Sequence, residues 1–242
     1  MRELVLIGIG TGNPDHLTRE GEAAIRAADI ILVPRKGPDK DDLAQLRREI
    51  CDGLGVARKI IEFDVSRRDT GGDYRQGVDA WHDAIARAWG AALPVDAGSV
   101  ALLVWGDPSL YDSTLRIAAR LDPKPATRVV PGITALQALT AAHAIPLNSI
   151  NAPVTITTGR RLRDQGWPEG ADTVAVMLDG ECSFLSLDPN GLDIWWGAFV
   201  GMDNQILCAG DLAAVGQSIV ETRAKARVDH GWIMDIYVLK RR

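Results

Sequence analysis

Leu4-Val5-Leu6-Ile7-Gly8-Ile9-Gly10-Thr11-Gly12-Asn13-Pro14 is the stretch whose reading decides the fold. Its first four residues are apolar without alternation. A strand of that kind is buried on both faces, as in a parallel sheet covered by helices. Glycines follow at positions 8, 10 and 12. They let a ligand approach the backbone closely, and open α/β folds bind ligands at the free ends of parallel strands. The spacing invites a dinucleotide fingerprint, but the sixth position, where that fingerprint needs Gly or Ala, is Asn13. No acid follows the second strand, which reads Val33-Pro34-Arg35. Arg35 suits a 2′-phosphate, so an NADP-dependent oxidoreductase stays open as an alternative.

Outward from this loop, strand and helix signals alternate. Thr18 to Ala28 reads as a helix, with Thr18 as N-cap and Glu20 and Glu22 near its positive end. Ile30 to Val33 is a second strand closed by Pro34, and Asp42 to Cys51 a polar helix. Ile60 to Phe63 is a third strand. Tyr74 to Trp89 is an amphipathic helix, with Val78, Trp81, Ile85 and Trp89 on one face. Val100 to Trp105, helix Leu115 to Leu121 and strand Arg128 to Val130 complete an expected parallel sheet with helices on both faces.

The second half changes character. An Ala-rich helix, Ile133 to Ala144, ends before Pro146. Strand signals follow at Val154–Thr157, Thr173–Leu178, Trp195–Val200 and Ile233–Leu239, with short helical segments near Leu185 and over Leu212–Ile219. Fewer long crossovers point to a mixed sheet. The expectation is two α/β domains, residues 1–130 and 131–242, with a ligand cleft between them. Trp195 and Trp196 are adjacent in a strand, so one faces inward and the other outward.

Composition narrows the function. The chain has 242 residues and a net charge of −5. An acidic protein has no general attraction for nucleic acid or anionic membrane, so neither is expected as a partner. Cys51, Cys182 and Cys208 are scattered, as are His16, His82, His143 and His230. No metal motif or disulfide framework is formed, and a reducing cytoplasm is expected. The apolar start runs into Thr11-Gly12-Asn13-Pro14 without a cleavage pattern, so no signal peptide is expected. Val129 to Gly159 carries no formal charge, but Pro131, Pro146 and Pro153 interrupt the helix a bilayer demands.

Two further loops follow strands. One is Trp105-Gly106-Asp107-Pro108-Ser109-Leu110-Tyr111-Asp112, and the other is Val130-Pro131-Gly132-Ile133-Thr134. These two loops, together with Leu6 to Thr18, resemble the tetrapyrrole methylases, in the family's order and over nearly the whole chain. Trp105–Arg116, Thr157–Leu162, Val176–Gly180 and His230–Tyr237 are similar to the member that methylates C1 of precorrin-5 and releases an acetyl fragment as acetate in cobalamin synthesis. The resemblance implies S-adenosylmethionine as methyl donor, with S-adenosylhomocysteine as product, a homodimer and a small tetrapyrrole substrate. Carried over by position, the cofactor-binding residues are Gly10, Trp105, Gly106, Asp107, Leu110, Thr134, Ala135, Met177, Gly201 and Met202. Many relatives have Gly-x-Gly-Pro-Gly-Asp in the first loop where this chain has Thr11 and Asn13, which leaves a contact from Thr11 open.

In-line methyl transfer needs no metal or covalent intermediate; orientation alone is worth roughly 7–11 kcal/mol of barrier. Acetate release needs water to attack a carbonyl, so a general base is expected. Asp107, Tyr111, Asp112 and His143 are candidates, with Asp107 and Tyr111 taken as catalytic. The substrate's carboxylates call for a local basic wall. Arg160 and Arg161, with Arg163 beside them, are the first choice, and Arg67 and Arg68 the second. Another precorrin carbon as acceptor, an RNA or protein acceptor, or a cofactor-binding protein without activity are the alternative readings.

Overall fold

The computed structural model describes residues 1–35, 41–65, 74–94, 96–231 and 233–242, in two compact units, Met1–Thr134 and Ala135–Arg242. The first contains β1 (Glu3–Gly8), α1 (Arg19–Ala27), β2 (Ile30–Arg35), α2 (Asp41–Gly53), β3 (Ile60–Asp64), α3 (Tyr74–Ala92), β4 (Ser99–Val104), α4 (Thr114–Ala118) and β5 (Ala126–Val130). Its sheet is parallel throughout, in the order β3-β2-β4-β1-β5. Alternate residues of β1 go to opposite faces. Val5 and Ile7 pack with Ile25, Ile31 and Ile50 beneath α1 and α2. Leu4 and Leu6 pack with Ile85, Trp89 and Ile117 beneath α3 and α4. This double burial is why the strand lacks alternation.

The same arrangement positions a site. β1 and β4 are neighbours, but the chain leaves β1 towards α1 on one face and β4 towards α4 on the other. Adjacent strands whose connections part in this way open a crevice at their C-terminal ends. The expected boundary after Val130 moves to Thr134, because Gly132 packs against Gly8 and Gly106 and ties residues 131–134 to the first unit.

The second unit contains α5 (Ala135–Ala142), β6 (Val154–Thr158), α6 (Gly159–Gln165), β7 (Thr173–Met177), β8 (Leu192–Ala198), β9 (Ile206–Asp211), α7 (Leu212–His230) and β10 (Asp235–Arg241). The sheet is mixed, in the order β6-β7-β10-β8-β9, with only β6 and β7 paired in parallel. Three features depart from the sequence reading. β9 is absent from that reading; it is an edge strand whose weak alternation is interrupted by Gly210. α6 forms where the sequence suggests a charged turn beside a strand end, with the Thr158 hydroxyl accepting from Arg161 N. α7 runs eleven residues past the expected Ile219, burying Arg223 and Ala226 on its inner face. Trp196 is fully buried under α7, while Trp195 turns to the other face and packs below α5, so helices cover both faces. No described helix is long and apolar enough to cross a membrane.

Leu103 is completely buried in β4, whereas Val228 on α7 is 84% exposed. Leu103→Ala should cost about 2–5 kcal/mol of unfolding free energy in urea titrations, and Val228→Ala less than about 0.5 kcal/mol.

Candidate functional site

Three glycines make the site possible. A Cβ on Gly132 would lie 2.1 Å from the Gly106 carbonyl oxygen and 2.7 Å from Gly8 Cα. One on Gly8 would lie 2.6 Å from Gly132 N. Any side chain at these positions forces the loops apart. Gly106 N donates to Gly10 O at 2.7 Å, and Gly10 N to Gly106 O at 3.4 Å, joining the first and second loops directly. Gly10 and Gly106 have φ of +76° and +65°, in the left-handed region that favours glycine. All three glycine loops therefore meet at one edge of the first sheet.

Asp107 fastens the second loop to the third. It is 9% exposed. Its Oδ2 accepts from Gly132 N at 2.9 Å, while Oδ1 accepts from Ser109 N at 2.8 Å and Ser109 Oγ at 2.5 Å. Burial alone raises the carboxyl pKa, but the bonds from Ser109 and Gly132 outweigh it and hold the group below its usual value. A carboxylate with both oxygens engaged and a depressed pKa is a weak base, so its geometry is that of a strut.

Around this strut, Trp105 and Leu110 are half-buried and Tyr111 is exposed, with φ of +49°. That φ is an unusual conformation for a bulky residue. Asp112 Oδ1 accepts from Thr114 N at 2.6 Å and from the Thr114 hydroxyl. Thr11 is buried and its hydroxyl meets His16 Nδ1 at 3.0 Å, so its polar group faces the loop's own interior. Thr134 ends the first unit half-buried.

In the second unit, Ala135 begins α5 and Met177 ends β7, both packing with Leu136, Leu139 and Val200. Gly201 and Met202 follow β8, and Met202 packs into the cluster on the opposite face. Met177 and Met202 thus belong to different layers, although β7 and β8 run in the same direction and end at one edge. His143 sits half-buried after α5, where its Nε2 donates to the Trp196 carbonyl at 3.0 Å, an anchoring bond. Arg160, Arg161 and Arg163 lie on α6, where Arg160 and Arg161 are exposed. Arg161 donates to Gln165 at 2.9 Å, and Arg163 pairs with Glu181. Arg67 and Arg68 lie outside the described residues.

Sequence reasoning missed two polar features. Asp179, after β7, accepts from the Tyr237 hydroxyl at 2.7 Å and from Ser183 N at 2.6 Å. Arg223 beside it donates to Asp235 at 2.8 Å and to the Asp179 carbonyl at 3.0 Å. Burial raises the Asp235 pKa, partly offset by Arg223. The Tyr237 phenol is pushed well above its usual value by burial and by Asp179. The second feature is Arg47, buried on α2. The 3–4 spacing of Ala44, Arg47, Ile50 and Cys51 was the available signal for it.

A family model described as Tetrapyrrole (Corrin/Porphyrin) Methylases matches residues 3–216. The chain belongs to the tetrapyrrole methylase family. Among relatives in this family, precorrin-6A synthase (deacetylating) of Sinorhizobium sp is 46% identical over 252 aligned positions, covering 100% of this chain and 96% of the relative. Precorrin-2 C(20)-methyltransferase of Sinorhizobium sp is 25% identical, covering 72% and 71%. Among solved structures, a cobalamin synthesis related protein of Corynebacterium diphtheriae superposes with a TM-score of 0.86 at 36% identity, covering 100% and 99%. Uroporphyrin-III C-methyltransferase of Thermus thermophilus, complexed with S-adenosylhomocysteine, shares the fold at a TM-score of 0.63 and 18% identity, covering 98% and 97%.

Two predictions test the glycine knot and its strut. Gly132→Ala should cost about 2 kcal/mol or more in urea unfolding through overpacking, whereas Gly180→Ala, with open space around its Cβ, should cost under about 0.5 kcal/mol. Folding lowers the Asp107 pKa, so in the carboxylate range the unfolded chain binds more protons and stability rises with pH. The stability difference between wild type and Asp107→Asn should therefore be full at neutral pH and shrink as pH falls below the unfolded value of about 3.9.

Proposed function

We propose that this chain is an S-adenosylmethionine-dependent C-methyltransferase that methylates C1 of precorrin-5 and releases acetate to give precorrin-6A. The observation that carries this reading is the 46% identity, over the full chain, to a precorrin-6A synthase (deacetylating). The glycine knot supports the cofactor part. Its backbones pack too closely for side chains, which holds the three loops together at the strand ends where ligands of open α/β folds bind.

S-adenosylmethionine, when bound, supplies an electrophilic methyl group. Gly10, Trp105, Gly106, Asp107, Leu110 and Thr134 of the first unit hold it, and Ala135, Met177, Gly201 and Met202 are the contributions expected from the second. Asp107 acts by position: it keeps the second and third loops in register, and so fixes the walls against which cofactor and substrate align. Such alignment is the main service a protein offers a displacement between two ligands. Arg160 and Arg161 are exposed cations suited to substrate carboxylates. Tyr111, held exposed in an unusual backbone conformation on the same loop as Asp107, takes part in the acetate-releasing step by directing water to the acetyl carbonyl. The enzyme works as a cytoplasmic homodimer with a small tetrapyrrole substrate; its acidity disfavours nucleic acid.

Incubation of the protein with precorrin-5 and S-adenosylmethionine tests the reading by mass spectrometry. The expected product gains one methyl and loses the acetyl fragment. Tyr111→Phe should let a methylated, acetyl-retaining species accumulate. Methylation without acetyl loss by the wild type, or no methylation, would count against the assignment.

A further inference from the structure

Two arginines among the described residues are buried, and their surroundings differ. Arg223 faces Asp235 at 2.8 Å, and although burial works against its charge, the carboxylate more than compensates. Arg47, only 8% exposed, has no carboxylate within ion-pair distance among the described residues. Its Nε donates to Leu103 O at 2.9 Å and its Nη1 to Leu43 O at 2.6 Å. Nη2 makes no hydrogen bond among the described residues. Burial pushes the guanidinium down to about 10, partly offset by Asp112, so it is still cationic at neutral pH. Two carbonyls do not neutralise a cation, and a buried charge without a counterion is disfavoured.

The place of Arg47 is as informative as its partners. β2 and β4 pair from Ile30↔Val100 to Leu32↔Leu102 and then part, while β2 continues against β3 as far as Arg35↔Asp64. Leu103 lies just beyond the last β2–β4 pair, so its carbonyl meets Arg47 at the fork. The fork opens at the C-terminal edge of the sheet, the edge that carries the glycine knot. Asp112, in electrostatic reach of Arg47, already accepts through Oδ1 from Thr114.

We infer that Arg47 is a substrate-binding residue, receiving a side-chain carboxylate of the tetrapyrrole at the fork between β2 and β4. The inference rests on the tetrapyrrole substrate proposed above and names the group that reads it. A guanidinium with its Nε and one Nη1 hydrogen already fixed is pre-oriented, so little freedom is lost when a carboxylate binds.

The test uses the full chain with uroporphyrin III, a tetrapyrrole with free acetate and propionate side chains, and its methyl esters as the uncharged control. Binding is read by porphyrin fluorescence and needs no turnover. Arg47→Gln should weaken binding of the acid about tenfold or more, while S-adenosylmethionine affinity stays within about twofold. Arg47→Lys, which keeps the charge and protects against misfolding, should fall between. The esters should bind wild type and Arg47→Gln alike. Equal acid binding by wild type and Arg47→Gln overturns the inference, as does a parallel loss of acid, ester and S-adenosylmethionine affinity, the mark of a merely structural role. Should precorrin-5 go unmethylated while acid binding still depends on Arg47, the reaction assignment fails and this inference stands.

Discussion

Three backbone segments approach one another more closely than any Cβ permits, and the rest of the first unit is arranged around that constraint. Gly8 ends β1, Gly106 follows β4 and Gly132 follows β5; a Cβ on Gly8 or Gly132 would strike the backbone of the other two, while Gly106 holds a φ of +65°. Because β1 lies between β4 and β5, the three loops leave adjacent strands at one edge and cannot avoid each other. Glycine resolves the crowding. A carboxylate then locks it, since Asp107 accepts from both the Gly132 and Ser109 amides and cannot move without releasing two loops.

Buried charge follows the same logic with three outcomes. Asp107 is stabilised as an anion by donors from backbone and hydroxyl. Asp235 and Arg223 stabilise each other beside Asp179 and Tyr237, tying β7, β8, β10 and α7 together. Arg47 alone is offered carbonyl oxygens without a full counter-charge. Desolvation acts on all of them, and what differs is whether the chain itself supplies the opposite charge. Where it does, the group ties elements of the fold together; where it does not, the charge is left to carbonyl dipoles and to the distant Asp112.

Much of the architecture is readable in the sequence because the central strands β1 and β4 of the first sheet are buried on both faces, and that condition writes itself as unbroken apolar runs at Leu4–Ile7 and Val100–Val104. The loops are readable for a related reason, since a glycine directly after such a run marks a tight turn at a strand end, where a side chain would block close approach of another backbone. What escapes is information that depends on distant partners. Nothing local distinguishes Asp107 as base from Asp107 as strut; the difference lies in the Gly132 amide, twenty-five residues away. Arg47 and Arg48 look alike in a polar helix, yet Arg48 pairs with Glu62 near the surface and Arg47 points into the sheet. β9 is invisible because its neighbour β8, and not its own pattern, recruits it.

Three of the six described non-glycine residues with positive φ lie past strand ends, the others being Ala144, Asn151 and Cys182. Tyr111, Leu178 and Phe199 all hold positive φ, and each stands beyond the C-terminal end of a strand: β4, β7 and β8 respectively. Each such residue costs on the order of 1–3 kcal/mol, and persists only where surrounding bonds over-determine it. Those bonds are present. The Asp107–Ser109 turn precedes Tyr111, the Asp179–Ser183 clasp follows Leu178, and Phe199 N donates to Met234 O at 2.8 Å. Tyr111 and Leu178 are also exposed although large. In a reaction whose nucleophile and electrophile both arrive as ligands, what the chain contributes is fixed walls, and a residue strained into one orientation is a better wall than one free to relax. The glycine knot and the Asp107 clasp thus stiffen the strand ends of the first unit, and the Asp179 clasp does the same for those of the second.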